Sequence, residues 1–409
     1  MNQETIRIID RTLGSLLCLL LTLVRRVNDL LGGKRAASRP PTKILFIKLI
    51  EQGATVLAHT AVQRAATKVG RDNVYFIVFA ENRAIIDILD MVPAENVIEV
   101  RHRNLFVFGW DVLKAVAHCR CEQIDCTIDM EFLARAPAIL GYLTGAGRRV
   151  GLHRFSSEAP YRGDLMTDRV QYNPYLHTAE NYAVLVEALD APPGESPLRK
   201  MPAAELEAPA PRFQATDDER ERVARLIDEL AGRRVSGPIV LLNPNAGDLL
   251  PLRRWDTGRF VELGRRLLDT YPDATIGVTG APSEQADAEA VAARIGAPPR
   301  VLTFAGNTTL RELLVLYTLS DVLVTNDSGP GHFASLTDIH NIVMFGPETP
   351  RLFGPRGGNP HVVFADLACS PCVNVLNHRF SPCSDNVCMQ AITVDQVQAV
   401  VGRCLSHAG

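Results

Sequence analysis

Short apolar runs that stop at a polar or glycine-bearing turn, each followed by a helix-forming stretch, recur along this chain and fix its fold class. Residues 43–49 (KILFIKL) form the first run, and Gly53 follows it ahead of a helical stretch over 55–69. A continuous apolar run this short reads as a parallel strand buried on both faces. Residues 74–79, 97–100, 126–129 and 149–151 read as further strands, with helices expected over 83–89, 110–119 and 134–143. Residues 192–211 are rich in Pro, Ala and Glu and read as a connector, after which a polar helix runs over 216–233.

The pattern then restarts. Strands are expected at 238–242, ending in Asn243-Pro244-Asn245-Ala246-Gly247; at 275–279, ending in Gly280; at 322–325, ending in Asn326-Asp327-Ser328-Gly329; and at 342–345, ending in Gly346-Pro347. Helices are expected over 260–271, 310–319 and 394–404. Strands alternating with helices imply parallel sheets covered on both faces. The fold expected is therefore α/β, two Rossmann-like doubly wound domains facing across a cleft, over residues 42–210 and 216–405. Ligands in such sheets bind outside the carboxyl ends of the strands.

Residues 1–40 stand apart. Residues 12–24 carry no charge and are mostly leucine, and as a helix they reach about 20 Å, short of the roughly 30 Å hydrocarbon core of a bilayer. Ile6, Ile9, Leu13, Leu16, Leu20, Leu23, Val27 and Leu30 share one helical stripe, and the first 40 residues hold seven Lys or Arg against three Asp or Glu. Such a basic amphipathic helix suits an anionic inner membrane leaflet. A helix packed on its own domain or on a second copy is the other reading; a signal peptide fits less well, because Arg25-Arg26 follows the run where small residues would be needed. Residues 32–41 read as a linker.

The whole chain has 409 residues and a net charge of −3, which gives no global basic excess for nucleic acid. Its nine cysteines are odd in number and spread over a long chain, which points away from a secreted disulfide scaffold and toward a reducing cytoplasm.

Three turns carry candidate chemistry. At VLVTNDSGPGHF, residues 322–333, a strand runs into small residues and a helix start. The exposed amides and the helix dipole there suit a diphosphate, and Ser328 can cap the helix. A tight turn without a ligand has the same pattern, and His332 alone reads as structural. At NPNAGDLLPLRRW, residues 243–255, Arg253 and Arg254 can neutralise a departing diphosphate, while Trp255 reads as packing. At TGAPSE, residues 279–284, Glu284 can hold ribose hydroxyls, with Ser283 as a helix cap an equal reading.

Together with DMEFLAR at 129–135, Arg148-Arg149-Val150-Gly151, His177 with Glu180-Asn181-Tyr182, Phe345-Gly346-Pro347 and the cysteines near the end, these turns resemble glycosyltransferase family nine, the heptosyltransferase-like enzymes of GT-B fold. The resemblance runs over about 42–405. It implies an inverting, metal-independent glycosyltransferase that needs no cofactor beyond its co-substrate. That co-substrate is a nucleotide-diphosphate-sugar, ADP-heptose by default. The acceptor, of lipopolysaccharide or glycolipid type, would bind the first domain and the donor the second, on the cytoplasmic side of a bacterial inner membrane. By position, Asp327, Ser328, Gly329 and His332 would hold the diphosphate with Arg253 and Arg254, and Glu284 would reach ribose.

One departure matters. The family carries Gly-Asp after its first strand, the Asp acting as base; here the pair is Gly53-Ala54. Glu51 is the nearest carboxylate on that loop and is the expected general base. Its loss leaves a second reading, a catalytically impaired homologue that binds a sugar nucleotide. A nicotinamide-dependent oxidoreductase is a poor reading, because the loop after the first strand has one glycine where Gly-x-Gly-x-x-Gly is needed. Cys369, Cys372, Cys383 and Cys388 have a spacing that fits a zinc site or a set of reduced thiols.

Overall fold

The structure is a computed structural model describing residues 5, 8–31, 40–155, 160–191, 210–247, 250–377 and 379–406. The expected linker over 32–41 and connector over 192–211 fall mostly outside these residues. The chain forms two compact units, Met1–Pro209 with Asn374–Phe380, and Ala210–Val373 with Ser381–Gly409.

The first unit is built on six strands: β1 (Ile44–Ile47), β2 (Val74–Phe79), β3 (Val97–Val100), β4 (Cys126–Asp129), β5 (Arg148–Leu152) and β6 (Asp168–Val170). Their order is β3-β2-β1-β4-β5-β6, and every pairing is parallel. Helices α2 (Gln52–Val69), α3 (Arg83–Ile88), α4 (Leu105–Cys121), α5 (Arg135–Leu143) and α6 (Thr178–Glu187) make the crossovers and flanks. The order reverses between β1 and β4, so the loops after these strands part there and leave a crevice typical of ligand sites.

The second unit repeats this plan. Its strands are β7 (Ile239–Asn243), β8 (Thr275–Val278), β9 (Val301–Thr303), β10 (Val322–Asn326), β11 (His340–Phe345) and β12 (Asn359–Phe364), in the order β12-β11-β10-β7-β8-β9, all parallel. The reversal falls between β7 and β10. Helices α7 (Asp217–Ala231), α8 (Thr257–Thr270), α9 (Gln285–Ile295), α10 (Leu310–Thr318), the short α11 (Gly329–Ala334), α12 (Pro350–Phe353) and α13 (Val387–Gln390), and the closing α14 (Val394–Ser406) accompany it. Val240, Leu242, Val322, Val324, Ile342 and Met344 are sealed beneath α8 and α14 in one core.

The central strands lie where their apolar runs place them. The edge strands β6, β9 and β12 carry weaker signals: β6 reads Asp-Arg-Val, and β12 contains Pro360, which an edge strand tolerates because its outer amides need no ladder partner.

The N-terminal helix α1 (Ser15–Leu30) packs by the side opposite to its leucine stripe. Gly14, Cys18 and Thr22 are buried against the first unit, where Cys18 joins Ala138, Leu165 and Met166. Gly163, at φ +72°, passes so close that a Cβ there would lie 2.7 Å from the Cys18 carbonyl oxygen. The Asp164 amide donates to Thr22 Oγ1 at 2.9 Å, and Arg25 donates to Asp164 at 2.6 Å. Just before the helix, Asp10 Oδ1 accepts from the amides of Arg135 and Ala136 at 3.0 and 2.9 Å. Asp10 thus caps α5, whose own N-cap residue, Ala134, has no side chain able to do so. The stripe faces outward: Leu13, Leu16, Leu20, Leu23 and Val27 are each about half exposed and Leu30 more so. Among the described residues no helix is long and apolar enough to cross a membrane.

Candidate functional site

Each sheet gathers polar side chains at the carboxyl ends of the two strands that flank its reversal. In the first unit β1 runs into Lys48-Leu49-Ile50-Glu51 and β4 into Asp129-Met130-Glu131. Glu131 Oε1 accepts from the amides of Leu49 and Ile50 at 2.7 and 2.8 Å and from Lys48 Nζ at 3.2 Å. Lys48 is completely buried and also donates to the Ile50 carbonyl. Asn82 Nδ2 donates to the Leu49 carbonyl at 2.7 Å. A buried ion pair of this kind adds little net stability, but its carboxylate satisfies the Leu49 and Ile50 amides just beyond β1 and so sets the loop's shape. Beneath it Asp129 pairs with Arg162 and accepts from the Glu131 amide at 2.9 Å. Burial pushes the Asp129 carboxyl up to about 6, and Arg162 opposes that shift.

Glu51 emerges from this loop at the N-cap of α2 with φ 66° and ψ 90°. A non-glycine residue at positive φ costs about 1–3 kcal/mol, and such strain concentrates at functional sites. Its carboxylate accepts from Arg379 Nη1, brought in by the segment Asn374–Phe380 that belongs to this unit. Ala54 lies one turn into α2, buried. His177, Glu180 and Asn181 have a structural explanation. His177 Nδ1 accepts from the Ala179 amide while Glu180 accepts from the His177 amide, closing the start of α6, and Asn181 ties down residues 173–176.

In the second unit the same position is taken by Asn243–Gly247 after β7 and Asn326–Ser328 after β10. Asn326, fully buried, accepts from the Trp255 amide at 2.9 Å and donates to the carbonyls of Pro244 and Asn245 at 2.9 and 3.3 Å. It therefore fastens the Arg253-bearing loop to the strand end. Arg253 is buried, with Nη1 3.5 Å from Glu348 and 3.8 Å from Asp327, and Nη2 3.4 Å from the Ala246 carbonyl oxygen. Arg253 Nε and Asn245 Nδ2 are buried donors with no hydrogen-bond partner among the described residues. Buried donors left in this state are costly, and a site that receives an acceptor-rich ligand is one reason to retain them.

Asp327 is an acceptor set against Arg253 and offers a diphosphate no donor from its carboxylate; its contribution is to hold the guanidinium. Ser328 occupies the N-cap of α11, but its hydroxyl donates back to the Asn326 carbonyl at 3.2 Å instead of capping the helix. Gly329 follows in an ordinary helical conformation. At Gly331 a Cβ would lie 3.1 Å from Val343, so packing onto β11 accounts for that glycine. His332 is buried, and its carbonyl accepts from Ser335 Oγ at 2.6 Å. Arg254 is exposed and donates to the Gly247 carbonyl at 3.2 Å. Glu284 Oε2 accepts from the Ala281 amide at 2.8 Å, so the carboxylate rather than Ser283 closes that turn. Trp255 is buried, and its ring N–H donates to the Ile392 carbonyl at 2.8 Å.

Residues 112–379, more than half of the chain, match the family model described as glycosyltransferase family 9 (heptosyltransferase). The chain belongs to glycosyltransferase family 9. Lipooligosaccharide heptosyltransferase 2 of Campylobacter jejuni is 26% identical over 167 residues, 41% of this chain and 50% of that protein; the match thus spans half the length of this curated relative. Among solved structures, the E. coli ADP-heptose lps heptosyltransferase II aligns with a TM-score of 0.67 at 17% identity, over 90% of this chain and 99% of its own. A family 9 glycosyl transferase from Veillonella parvula aligns with a TM-score of 0.68 at 15% identity, over 90% and 97%. At these identities the structural likeness establishes the fold, two Rossmann-like units of GT-B type.

The family 9 match begins after β1, so it leaves Glu51 and Ala54 outside. It takes in Arg253, Asp327, Glu348 and Arg379. Glu348 and Arg379 were missed in sequence: Glu348 follows Gly346-Pro347 with no pattern of its own, and Arg379 meets Glu51 only through the fold. Lys48 carried a faint signal, a charge at the end of an otherwise apolar strand. The four clustered cysteines are free thiols: Cys388 is buried, Cys372 half-buried, and Cys369 and Cys383 exposed. Ser381 Oγ donates to Cys372 Sγ and Cys383 Sγ donates to the Asp385 carbonyl. No three of these sulfurs gather within 4.8 Å of one another.

Proposed function

We propose that this family 9 member is an inverting glycosyltransferase that moves a heptose-like sugar from a nucleotide-diphosphate donor to a lipopolysaccharide- or glycolipid-type acceptor, with ADP-heptose as the first donor to test. The observation that carries this reading is the Arg253 cluster. A guanidinium is held at the reversal point of the second sheet by Asp327 and Glu348, on a loop pinned by Asn326, with the Nε and Asn245 donors unspent.

The second unit is assigned the donor. Arg253, with Arg254 on the rim, stabilises the charge that develops as the sugar–phosphate C–O bond breaks, a stabilisation that preorganised groups supply best. The amides of Ser328 and Gly329 and the His332 side chain line the diphosphate seat, Asp327 positions Arg253, and Glu284 reaches ribose with its remaining oxygen. The first unit is assigned the acceptor. Glu51 takes the acceptor hydroxyl proton as the oxygen attacks the anomeric carbon from the face opposite the leaving diphosphate, which inverts that centre. The products are the glycoside and a nucleoside diphosphate.

The acceptor class also suits α1. Its half-exposed leucines, in a segment that also exposes Arg11 and Arg26, match the surface of an anionic bilayer, and α4, packed beside α5, exposes Leu105, Phe106, Trp110 and Leu113. These exposed apolar faces support a working position on the inner face of the bacterial inner membrane.

A second reading is supported by Ala54 and by the engagement of Glu51 with Arg379: a homologue that binds the sugar nucleotide and transfers nothing. One experiment addresses both. Purified chain is screened by thermal shift against ADP-, GDP-, UDP- and dTDP-sugars, and nucleoside diphosphate release is followed with lipopolysaccharide-core acceptors. Donor-dependent stabilisation with release supports the transferase, stabilisation without release supports the binding homologue, and no stabilisation by any donor overturns both.

A further inference from the structure

The opposite ends of the second sheet's strands hold a group that the transfer chemistry does not use. His340 is the first residue of β11, and His361 lies on β12 in register with Ile342. Side chains alternate across a strand, so His340, Ile342 and the register partner His361 stand on one face. The helix α14 covers that face: its Val397, Val401 and Cys404 share a core with Ile342 and Met344. His340 Nδ1 and His361 Nε2 are 3.2 Å apart, and the Cys404 sulfur lies within 4.8 Å of a ring nitrogen of each histidine. Both histidines are half-buried and Cys404 is buried.

We propose that His340, His361 and Cys404 bind one divalent transition-metal ion, zinc in the first instance, with a water as fourth ligand. Two observations favour an ion over a plain histidine pair. Imidazole and thiolate are the donors that zinc and its neighbours prefer, and three protein ligands with an open fourth position form a common set. Ligand distances of about 2.0–2.1 Å for nitrogen and 2.3 Å for sulfur put tetrahedral donors about 3.3–3.7 Å apart. The two ring nitrogens already stand near that spacing, and small rotations close the gap to sulfur.

Binding forms one zinc–sulfur and two zinc–nitrogen bonds, and the Cys404 thiol proton goes to solvent. Because the group sits at the amino ends of the strands, away from Arg253, the ion would tie the edge strand β12 and its neighbour β11 to α14 without touching the sugar donor.

The test uses the full chain, stripped with a chelator and reloaded with one equivalent of zinc alone. Zinc-edge X-ray absorption is expected to show a shell of two imidazoles, one sulfur and one light oxygen. His340→Gln and His361→Asn, checked for native circular dichroism, are each expected to lose at least about tenfold in zinc affinity, no less than the loss of an outer-shell partner costs. Cys404→Ser should remove the sulfur from the shell. A shell of sulfur only, which the four cysteines at 369–388 would give, overturns the assignment. So does undiminished binding in the two folded histidine variants, or a folded wild-type chain that retains no zinc after desalting.

Discussion

Glu51 and Arg379, 328 positions apart in the chain, form an ion pair inside one compact unit. The carboxylate expected to act as base is therefore already engaged, by a cation delivered from the far end of the sequence.

The first prediction follows from that pair. Glu51→Gln should lower kcat by about 10²–10⁴-fold with donor affinity nearly intact, as for the loss of a general base. Arg379→Met, which takes the cation away from Glu51, should lower kcat by a smaller factor, again with donor affinity kept. Unchanged turnover in Arg379→Met would separate the pair from catalysis.

Glu51 also carries backbone strain. Glu51→Gly and Glu51→Ala remove the same side-chain bond, yet glycine tolerates φ 66° and alanine does not. The glycine variant should be the more stable of the two by about 1 kcal/mol in urea denaturation, with both inactive. Equal midpoints would show that the loop relaxes when the carboxylate is gone.

Arg253 sits between two carboxylates, so its removal should have two separable effects. Arg253→Met should weaken donor binding by roughly 10–150-fold, the worth of a hydrogen bond to a charged group. It should also destabilise the fold by about 3–5 kcal/mol, because Asp327 and Glu348 are left buried without their counter-charge. Adding Glu348→Gln to that variant should recover stability and leave donor binding lost. Calorimetry with the nucleoside diphosphate alone and a denaturation curve read the two effects independently.

An acid limb of stability is expected from Glu219. Arg311 donates to it at 2.5 and 3.2 Å and the Thr216 amide at 2.9 Å, and these bonds hold its carboxyl down to about 2. A carboxyl depressed in the folded state stabilises above its unfolded value and loses that contribution as pH falls. Stability should therefore decline between about pH 4.5 and 2, and Glu219→Gln should be less stable near neutrality with a flatter decline. Thermal melts across that range decide it. A parallel decline in the two proteins would exclude the pair as its source.

Much of the architecture could be read from the sequence because the central strands are buried on both faces. A run such as residues 43–49 must be apolar throughout, and its position between turns leaves few other assignments. Edge strands obey no such demand, so β6, β9 and β12 went unread. The sites divide in the same way. Asp327 and Glu51 lie just beyond strand ends and Arg253 on the loop that leaves β7, so position alone singles them out. Arg379, Glu348 and the Asp10 cap on α5 act on partners distant in sequence, and local pattern holds no trace of such partnerships. Ser328 illustrates the converse: its position fits a helix cap, but the hydroxyl turns back to Asn326.

The N-terminal helix separates two jobs by face. Gly14, Cys18 and Thr22 are committed to the fold, and Asp10 ahead of them closes a neighbouring helix, while the leucines of the stripe stay about half exposed. A shortened chain beginning near residue 40 would thus leave α5 frayed and uncover Ala138 and Met166, a poor route to a better-behaved sample. Replacing Leu16, Leu20 and Leu23 with serine reaches the greasy side alone: such a protein should melt where the parent does and fail to float with vesicles containing anionic lipid.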